Sequence, residues 1–458
     1  MLASSDKSPR GPIEVLLTDG HTRATLAVAR SQARRGRSFV VLCPQPQSLA
    51  FYSRDVKHAV LSPDPVSQPD AFVRFVFELI KKHEIRLVVP MTDQALVLFE
   101  RHRNELEQHT RLAMANSQAL RRVLNKRANL ELASELGVPC PRQFRLEDRR
   151  QIPEMIQALG FPIVIKRSSD PIEPNVPQFK FKVLYAFNEA ELRLYVDQYC
   201  LNGEYPLFQQ CATGVVHDLC CFAAGGELLA VHEYHAIRRF NGCAVLRKIV
   251  GSSPDLVEHA RNLLAALEWD GVAHVSFFIG KNGQKWYMET NGRFWASVEG
   301  SVYAGWDFPD WTYEYFLNGH RPEPGPITLG SSTCWHTGDL LALLKFIAGK
   351  GEIPTPGTTP GKLRAAWQFL SGFRPGIHSD VFRWNDPLPS ILEPWPYCKR
   401  VVRAIRSNTW SYSKAMHIMF PASPNSAGSV RPVPSYDRRP ALEERETGAP
   451  LQGDAGAR

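Results

Sequence analysis

Three polar side chains suited to a phosphate site lie two residues apart within residues 287–297. They are Glu289, Asn291 and Arg293, in the run YMETNGRFWAS. In an extended segment successive side chains alternate between faces, so these three project to the same side. Carboxylate and amide oxygens suit Mg²⁺, and an arginine beside them can hold a phosphate through two parallel hydrogen bonds. The pattern predicts a metal and polyphosphate site, and the alternative is a surface strand edge with a solvated ion pair.

The size and composition of the chain favour a globular protein of several domains. Its 458 residues are too many for one compact core, and they predict about two to four domains or subdomains. The composition, 44% hydrophobic and 22% charged, is that of ordinary globular proteins. No apolar run approaches the roughly 20 residues that span a bilayer, and the N-terminus lacks the apolar core of a secretory signal. We therefore expect a cytoplasmic protein without a membrane span.

The cysteines and the basic residues show no binding pattern. The nine cysteines are scattered, without a CxxC pair. This argues against a disulfide framework and against a zinc site, and favours buried free thiols in a reducing compartment. The net charge of +8 is spread along the chain. Because aromatic residues are not interleaved with the basic ones, no specific nucleic-acid binding is expected.

The N-terminal region alternates strand and helix patterns. Buried strands are predicted over 13–18, 38–43 and 85–90, with helices over 22–35 and 70–82 between them. This alternation predicts a parallel sheet built from βαβ units. No GxGxxG follows the first strand, so the dinucleotide-binding fingerprint is missing. A further helix over 125–136 ends at Gly137.

From residue 161 the chain changes to short runs of β-branched and aromatic residues, which predict antiparallel sheets. Gly225-Gly226 and Asn282-Gly283 predict hairpin turns, and the ETNGR motif lies on the second strand of the latter hairpin. Residues 331–421 mix helix and loop patterns, without an assignable chemistry. From residue 423 the chain is rich in Pro, Gly, Ser and charge, which predicts disorder.

The order of these elements resembles the ATP-grasp superfamily. An α/β module is followed by a linker helix, an IVIK strand, a hinge-like FQQC strand and the METNGR hairpin. The likeness is closest to the branch of carbamoyl-phosphate synthetase, biotin carboxylase and the carboxylate–amine ligases. It implies an α/β (α+β) chain with a parallel α/β domain at 1–112 and a two-lobed ATP-grasp domain of antiparallel sheets at 113–325. The hinge would lie near 207–211, followed by a C-terminal extension at 326–421 and a disordered tail at 422–458.

The resemblance also implies which residues bind the nucleotide. Lys126, at the start of the linker helix, and Lys166, at the end of the IVIK strand, match lysines that face the phosphates. Alone, a lysine on a helix is usually a solvated charge, whereas a charge that closes a buried strand must find water or an anion. Gln209 and Gln210 match the hinge that bonds adenine and ribose. An amide can still bond a hydroxyl at Gln210, where Glu is common, and the alternative is a surface strand edge.

The resemblance also implies metal ligands and catalytic residues. Glu289 and Asn291 match the metal ligands, and Arg293 matches the arginine that steadies the reacting acyl phosphate. Arg238 and Arg239 lie where the family carries basic residues. Either could contact a phosphate or the acid substrate, and Arg238 is the one assigned a catalytic role.

Two departures from the family pattern stand out. The strand before the METNGR motif reads GVAHVSF, with Ser276 where a second carboxylate is usual. A serine hydroxyl is a weaker Mg²⁺ ligand, so a second metal becomes doubtful. The loop after Lys166 has three prolines and no glycine, although Lys180 and Lys182 could supply positive charge.

The function implied by the resemblance is an ATP-dependent ligase. A small-molecule carboxylate would be activated as an acyl phosphate with ATP and Mg²⁺, or Mn²⁺ in its place, and then captured by an amine. The identities of the acid and amine and the oligomeric state stay open. The alternative is a nucleotide-binding protein without ligase activity, a sensor or scaffold. A lesser alternative is a carboxylase, for which the sequence shows no biotin-carrier segment.

Overall fold

The computed structural model describes residues 7, 9, 11–166, 183–200, 206–212, 214–240, 243–347 and 361–395. The glycine-free loop after Lys166 and the predicted disordered tail at 422–458 lie outside these residues. In the part of the chain that the structure describes, no helix is both long and apolar enough to cross a membrane. The eight cysteines within it are all free, as expected.

The N-terminal region forms a five-stranded parallel sheet in the order β3-β2-β1-β4-β5. Its strands are β1 (Val15–Leu17), β2 (Phe39–Cys43), β3 (His58–Leu61), β4 (Leu87–Val89) and β5 (Arg111–Leu112). Its helices are α1 (Arg23–Arg34), α2 (Leu49–Tyr52), α3 (Pro69–His83), α4 (Asp93–Arg101) and α5 (Arg103–Leu106). The predicted parallel sheet is confirmed, while β3 and β5 were not predicted.

Two linker helices lead to a four-stranded lobe. These are α6 (Ser117–Leu124) and α7 (Lys126–Glu135), and the side chain of Asn125 caps α7 by accepting from the Ala128 N–H. The lobe has the strand order β6-β9-β7-β8 and is antiparallel. Its elements are β6 (Gln143–Phe144), α8 (Ile152–Leu159), β7 (Ile163–Lys166), β8 (Val183–Ala186), α9 (Glu189–Tyr199) and β9 (Leu207–Gln210).

The largest sheet has seven strands in the order β14-β13-β10-β11-β12-β15-β16. They are β10 (Val215–Ala224), β11 (Glu227–Phe240), β12 (Cys243–Val250), β13 (Gly271–Ile279), β14 (Lys285–Asn291), β15 (Ser332–Cys334) and β16 (Ile377–Ser379). Both predicted hairpins are present. Gly225 and Gly226, with φ of 57° and 82°, make the left-handed turn between β10 and β11.

Helices pack on both faces of this sheet. The helices that follow β12 are α10 (Pro254–Ala266), α11 (Val298–Tyr303), α12 (Phe308–Asn318), α13 (His336–Ile347), α14 (Lys362–Leu370) and α15 (Leu388–Leu392), of which α14 packs on α13 and α15 on α2. On one face, Leu219 and Cys221 of β10 pack in a core with α10 and the linker helices. On the other face, Cys220 and Phe222 pack in a second core with α1, α11 and α12. Because alternate residues of one strand enter different cores, the strand is apolar on both faces.

The C-terminal segment completes the large sheet instead of standing apart from it. Strand β15 pairs with β12, and β16 pairs with β15. Buried ion pairs tie this segment to earlier elements: Arg238 bonds Asp339, Arg247 bonds Asp380, and Arg30 bonds Asp386. The predicted α/β class, with a parallel sheet first and antiparallel sheets later, is confirmed, and the predicted domain boundaries stay predictions.

Candidate functional site

A cleft of about 540 Å³ is lined by residues of both antiparallel sheets and by α4 and α7. Four separate segments of sequence contribute the predicted site residues that meet there. Seven of the eight residues assigned a role from sequence line this cleft: Lys126, Lys166, Gln209, Gln210, Glu289, Asn291 and Arg293.

Three neighbouring strands place oxygen donors in a row on the floor of the cleft. Asp218 of β10 is directly opposite Ser276 of β13, which is opposite Glu289 of β14. Directly opposed residues of antiparallel strands share a face, and all three line the cleft. The Ser276 hydroxyl donates to Asp218 Oδ1 at 2.6 Å. Asp218 thus brings a carboxylate next to the Ser276 hydroxyl on the cleft face.

Glu289 and Asn291 lie on one face of β14, as the alternation of strand side chains predicts. The Asn291 amide nitrogen donates to Glu289 Oε1 at 3.1 Å, so the two side chains are held together. Glu289 is exposed to the cleft solvent. A carboxylate and an amide oxygen held side by side are the donor set that Mg²⁺ prefers, and the residues present fit that ion.

Two lysines stand across the cleft from this pair. Lys166 ends β7, and Lys126 begins α7. Loss of hydration in the cleft wall lowers the pKa of Lys166 to about 8; the Glu289 carboxylate raises this pKa and the Lys126 charge lowers it further. A lysine whose charge is disfavoured by burial and by a second cation is a position where a bound anion is stabilised.

Strand β9, which holds the predicted hinge residues, presents one unsatisfied donor. The Gln209 side chain is buried, and its amide nitrogen Nε2 has no hydrogen-bond partner among the residues that the structure describes. An unpaired buried amide costs free energy unless a ligand or water accepts its hydrogen bond. Gln210 is held differently, since its Oε1 accepts from Arg142 Nε at 3.2 Å. Both glutamines line the cleft, and Gln209 is the one whose buried amide nitrogen lacks a partner among the described residues.

Arg293 joins the cleft to the N-terminal sheet. Its guanidinium makes two parallel hydrogen bonds of 2.9 Å to the carboxylate of Asp93, the first residue of α4. Asp93 also lines the cleft. The sequence carried no sign of this contact, because the two residues are 200 positions apart.

Arg238, the eighth predicted residue, lies outside the cleft. Its Nε donates to Asp339 Oδ1 at 2.8 Å and its Nη1 to the Gln368 carbonyl at 2.8 Å. The neighbouring Arg239 lines the cleft instead, with Nη2 3.9 Å from Asp218 Oδ2. The pairing of β11 with β12 is irregular at Ala236, Arg238 and Arg239. Strand alternation therefore does not predict which arginine faces the cleft.

Two further groups beside Asp218 went unnoticed in the sequence. His274 of β13 lines the cleft with Nε2 3.7 Å from Asp218 Oδ1 and 3.2 Å from the Tyr234 hydroxyl. Burial lowers the pKa of His274, although Asp218 opposes that effect. The spacing of two residues between His274 and Ser276 could have placed His274 on the cleft face. The place of Asp218 in the cleft could be predicted only from the order of the strands in the sheet, which puts β10 next to β13.

Comparison with solved structures finds proteins of the same fold. The biotin carboxylase domain of 2-oxoglutarate carboxylase from Hydrogenobacter thermophilus, solved with MgADP, ADP and bicarbonate, matches with a TM-score of 0.56 and 14% identity, over 70% of this chain and 74% of that one. N5-carboxyaminoimidazole synthetase from Staphylococcus aureus matches with a TM-score of 0.53 and 15% identity, over 71% and 82%. An ADP complex of an N5-carboxyaminoimidazole ribonucleotide synthetase matches with 0.54 and 14%, over 79% and 97%.

Sequence comparison adds no closer relative. No protein-family model matches this chain, and no curated protein matches it. At 12–15% identity the structural likeness establishes the fold and leaves the substrates open.

Proposed function

The chain has the ATP-grasp fold, and on that premise we propose that it is an ATP-dependent ligase that joins a carboxylate to an amine. ATP would bind in the cleft with Mg²⁺, and a substrate carboxylate would take its γ-phosphate to form an acyl phosphate. An amine would then displace the phosphate. The observation that carries this proposal is the meeting of two lysines, a hinge amide, the Glu289–Asn291 pair and Arg293 in one cleft.

The phosphates are assigned to the lysine side of the cleft. A bound phosphate would offset the mutual repulsion of Lys126 and Lys166 and restore the ammonium form of Lys166. The unsatisfied Gln209 amide on β9 would donate to the nucleotide base or ribose. These two contacts, from opposite ends of one nucleotide, would set its direction in the cleft.

The metal is assigned to Glu289 and Asn291. When bound, Mg²⁺ would neutralise negative charge on the phosphates. Asp218 is the carboxylate nearest in strand order to the missing one, and it holds the Ser276 hydroxyl. We therefore propose that Asp218 supplies the second negative charge of this site, although it reaches the cleft from the strand beyond β13.

The acid substrate is assigned to the arginine side. Arg293 and Arg239 both line the cleft, and both guanidinium groups can hold a carboxylate or a transferring phosphoryl group. Asp93 fixes the direction of Arg293 through two bonds. Positioned cations that do not reorganise during the reaction lower the barrier of phosphoryl transfer.

The test is Mg²⁺-dependent ADP release, measured against a panel of acids and amines. Bicarbonate belongs in the panel because a protein of the same fold was solved with it. We expect the wild type to release ADP with at least one acid, and Glu289→Gln to lose that activity. Glu258→Gln, an exposed carboxylate on α10, is the matched control and should keep it.

Ser276 is the observation that favours a second function, nucleotide binding without ligase activity. A hydroxyl replaces a charged metal ligand there, and loss of one ligand weakens a Mg²⁺ site. A wild type that binds ATP tightly in calorimetry, yet releases no ADP across a broad panel, would support a sensor or scaffold. ATP binding absent altogether would contradict both functions.

A further inference from the structure

A second polar cluster lies on the face of the large sheet opposite the cleft. Asp218 and Tyr234 face the cleft. Their strand neighbours, His217 on β10 and Glu233 and His235 on β11, point the other way because side chains alternate along a strand. His217 and His235 are directly paired across the two strands. The three side chains therefore share one patch, behind the floor of the cleft.

The ligand atoms of these three residues converge on a single point. His217 Nδ1 is 2.5 Å from Glu233 Oε1, and His235 Nε2 is 3.3 Å from the same oxygen. The ligand atoms of all three residues lie within 4.8 Å of one another. The second oxygen, Glu233 Oε2, accepts the Ser253 backbone N–H at 2.8 Å. One carboxylate oxygen is thus fixed by the protein, and the other is shared by two imidazoles.

The cluster has a closed side and an open side. The Glu233 side chain is fully buried, that of His217 is 12% exposed, and that of His235 is 44% exposed. A buried carboxylate requires positive or hydrogen-bonding partners. The two histidines are the partners of the Glu233 carboxylate in this structure. A cation that enters beside His235 would add a full positive charge next to that carboxylate.

We propose that His217, Glu233 and His235 form a binding site for a divalent transition metal, with Zn²⁺ as the expected ion. Two imidazoles and one carboxylate are a recurrent ligand set for such metals, and imidazole nitrogen does not suit Mg²⁺. Three protein ligands leave a coordination position open toward solvent, on the exposed side of His235. The chain therefore carries two cation sites of different chemistry on opposite faces of one sheet.

The expectation against zinc rested on cysteine spacing, and this site uses no cysteine. Its ligands come from the two paired strands of the Gly225-Gly226 hairpin. Through Ser253 the site also fixes the residue that precedes α10. A bound metal would join β10, β11 and the start of α10 directly behind Asp218, independently of the ligase proposed above.

The test is a Zn²⁺ titration of the chelator-treated full-length protein by calorimetry, with excess Mg²⁺ present to occupy the oxygen-donor site. Co²⁺, added in a separate experiment, reports nitrogen coordination through its visible absorption. We expect one Zn²⁺ per chain, and a loss of affinity of at least about tenfold in His235→Gln and in His217→Gln. His235→Gln is the safer variant, because half-exposed side chains tolerate change.

Two controls separate this site from other zinc-binding positions. His259→Gln changes a histidine on α10 whose ring is tilted against that of Phe277, and which belongs to no cluster of metal-binding groups found among the described residues. Glu289→Gln changes the cleft site. Both should bind Zn²⁺ as the wild type does. Zinc affinity equal in the wild type and His235→Gln, or no visible Co²⁺ spectrum in the wild type, would overturn the proposal. Neither result would bear on ADP release.

Discussion

The two ends of the seven-stranded sheet use charged side chains in opposite ways. At the β12–β15 end, arginines are buried against carboxylates that the chain itself supplies, as in Arg238–Asp339 and Arg247–Asp380. At the β10–β14 end, Glu289 is exposed, and the buried Asp218 accepts a hydrogen bond from Ser276 while its contact with Arg239 is 3.9 Å long. The arginines at the first end have carboxylate partners outside the cleft, whereas Glu289, Asp218 and Arg239 at the second end line the cleft. Arg238 and Arg239, adjacent in sequence, fall on different sides of this division.

The largest expected effect comes from exchanging those two arginines for alanine. Arg238→Ala leaves Asp339 buried without its cation, and should lower the free energy of unfolding by about 3–5 kcal/mol. Arg239→Ala should cost less, because its contact with Asp218 is long, at 3.9 Å, and Asp218 keeps the Ser276 hydroxyl, and it should instead reduce ADP release. Denaturant unfolding of both variants measures the contrast. An equal loss of stability in the two variants would show that Arg238 and Arg239 do not differ in their contribution to the fold.

The Lys166→Ala variant tests the ligand side of the comparison. A charged contact to phosphate contributes on the order of 1.5–3 kcal/mol, so ATP affinity should fall about ten- to a hundredfold with little loss of stability. Calorimetry measures both wild type and variant. Lys57→Ala, an exposed lysine before β3, is the control. Unchanged ATP affinity would show that Lys166 does not bind the nucleotide. The proposed orientation of the nucleotide in the cleft would then lose its main support.

Ser276→Glu tests whether the row of oxygen donors holds a metal. A third carboxylate between Asp218 and Glu289 repels both, and without Mg²⁺ should lower the free energy of unfolding by about 1–2 kcal/mol. With Mg²⁺ and ATP the loss should be recovered, because binding to the folded state can stabilise it by about 2.7 kcal/mol at a hundredfold excess over Kd. Thermal unfolding with and without Mg²⁺ measures this. Ser276→Ala, which adds no charge, should show no such Mg²⁺ dependence.

The smallest expected effect is a proton taken up with the nucleotide. Burial lowers the pKa of Lys166 to about 8, so at pH 8 about half of these side chains are neutral. A phosphate favours the charged form and raises the pKa toward its ordinary value. Binding at pH 8 should therefore take up to about half a proton, and less at pH 6.5. Calorimetry in buffers of different ionisation enthalpy measures the uptake, and Lys166→Ala should lack it.

The sequence predicted those parts of the site that depend on local repetition. Strand alternation alone put Glu289 and Asn291 on one face, and the Asn282-Gly283 turn placed them on the second strand of a hairpin. The rest depends on pairing between distant segments. Asp218 reaches Ser276 because β10 lies next to β13, and Asp93 bonds Arg293, which is 200 positions away in the sequence. No periodicity carries that information. The pairing of β11 with β12 is irregular at Arg238 and Arg239. Strand alternation therefore could not predict which of the two arginines lines the cleft.

The C-terminal strands show the same limit in the fold. Strands of three residues, such as β15 and β16, are too short to show an alternating pattern. Strand β15 pairs with the edge of β12, and β16 in turn pairs with β15. The parallel N-terminal sheet, by contrast, was predicted because its strands are continuous apolar runs between amphipathic helices.

The buried contact between Arg30 and Asp386 has a consequence for how the protein is made. Arg30 belongs to α1, and Asp386 lies 356 residues further along the chain. At a synthesis rate of about 5–20 residues per second, the guanidinium waits roughly 20–70 s for its carboxylate. The N-terminal sheet can pair its strands early, since its contacts are local. The surface of this sheet around α1 must stay hydrated until the last third of the chain emerges. The final contacts of the folding protein therefore form on α1, one of the first elements to be synthesised.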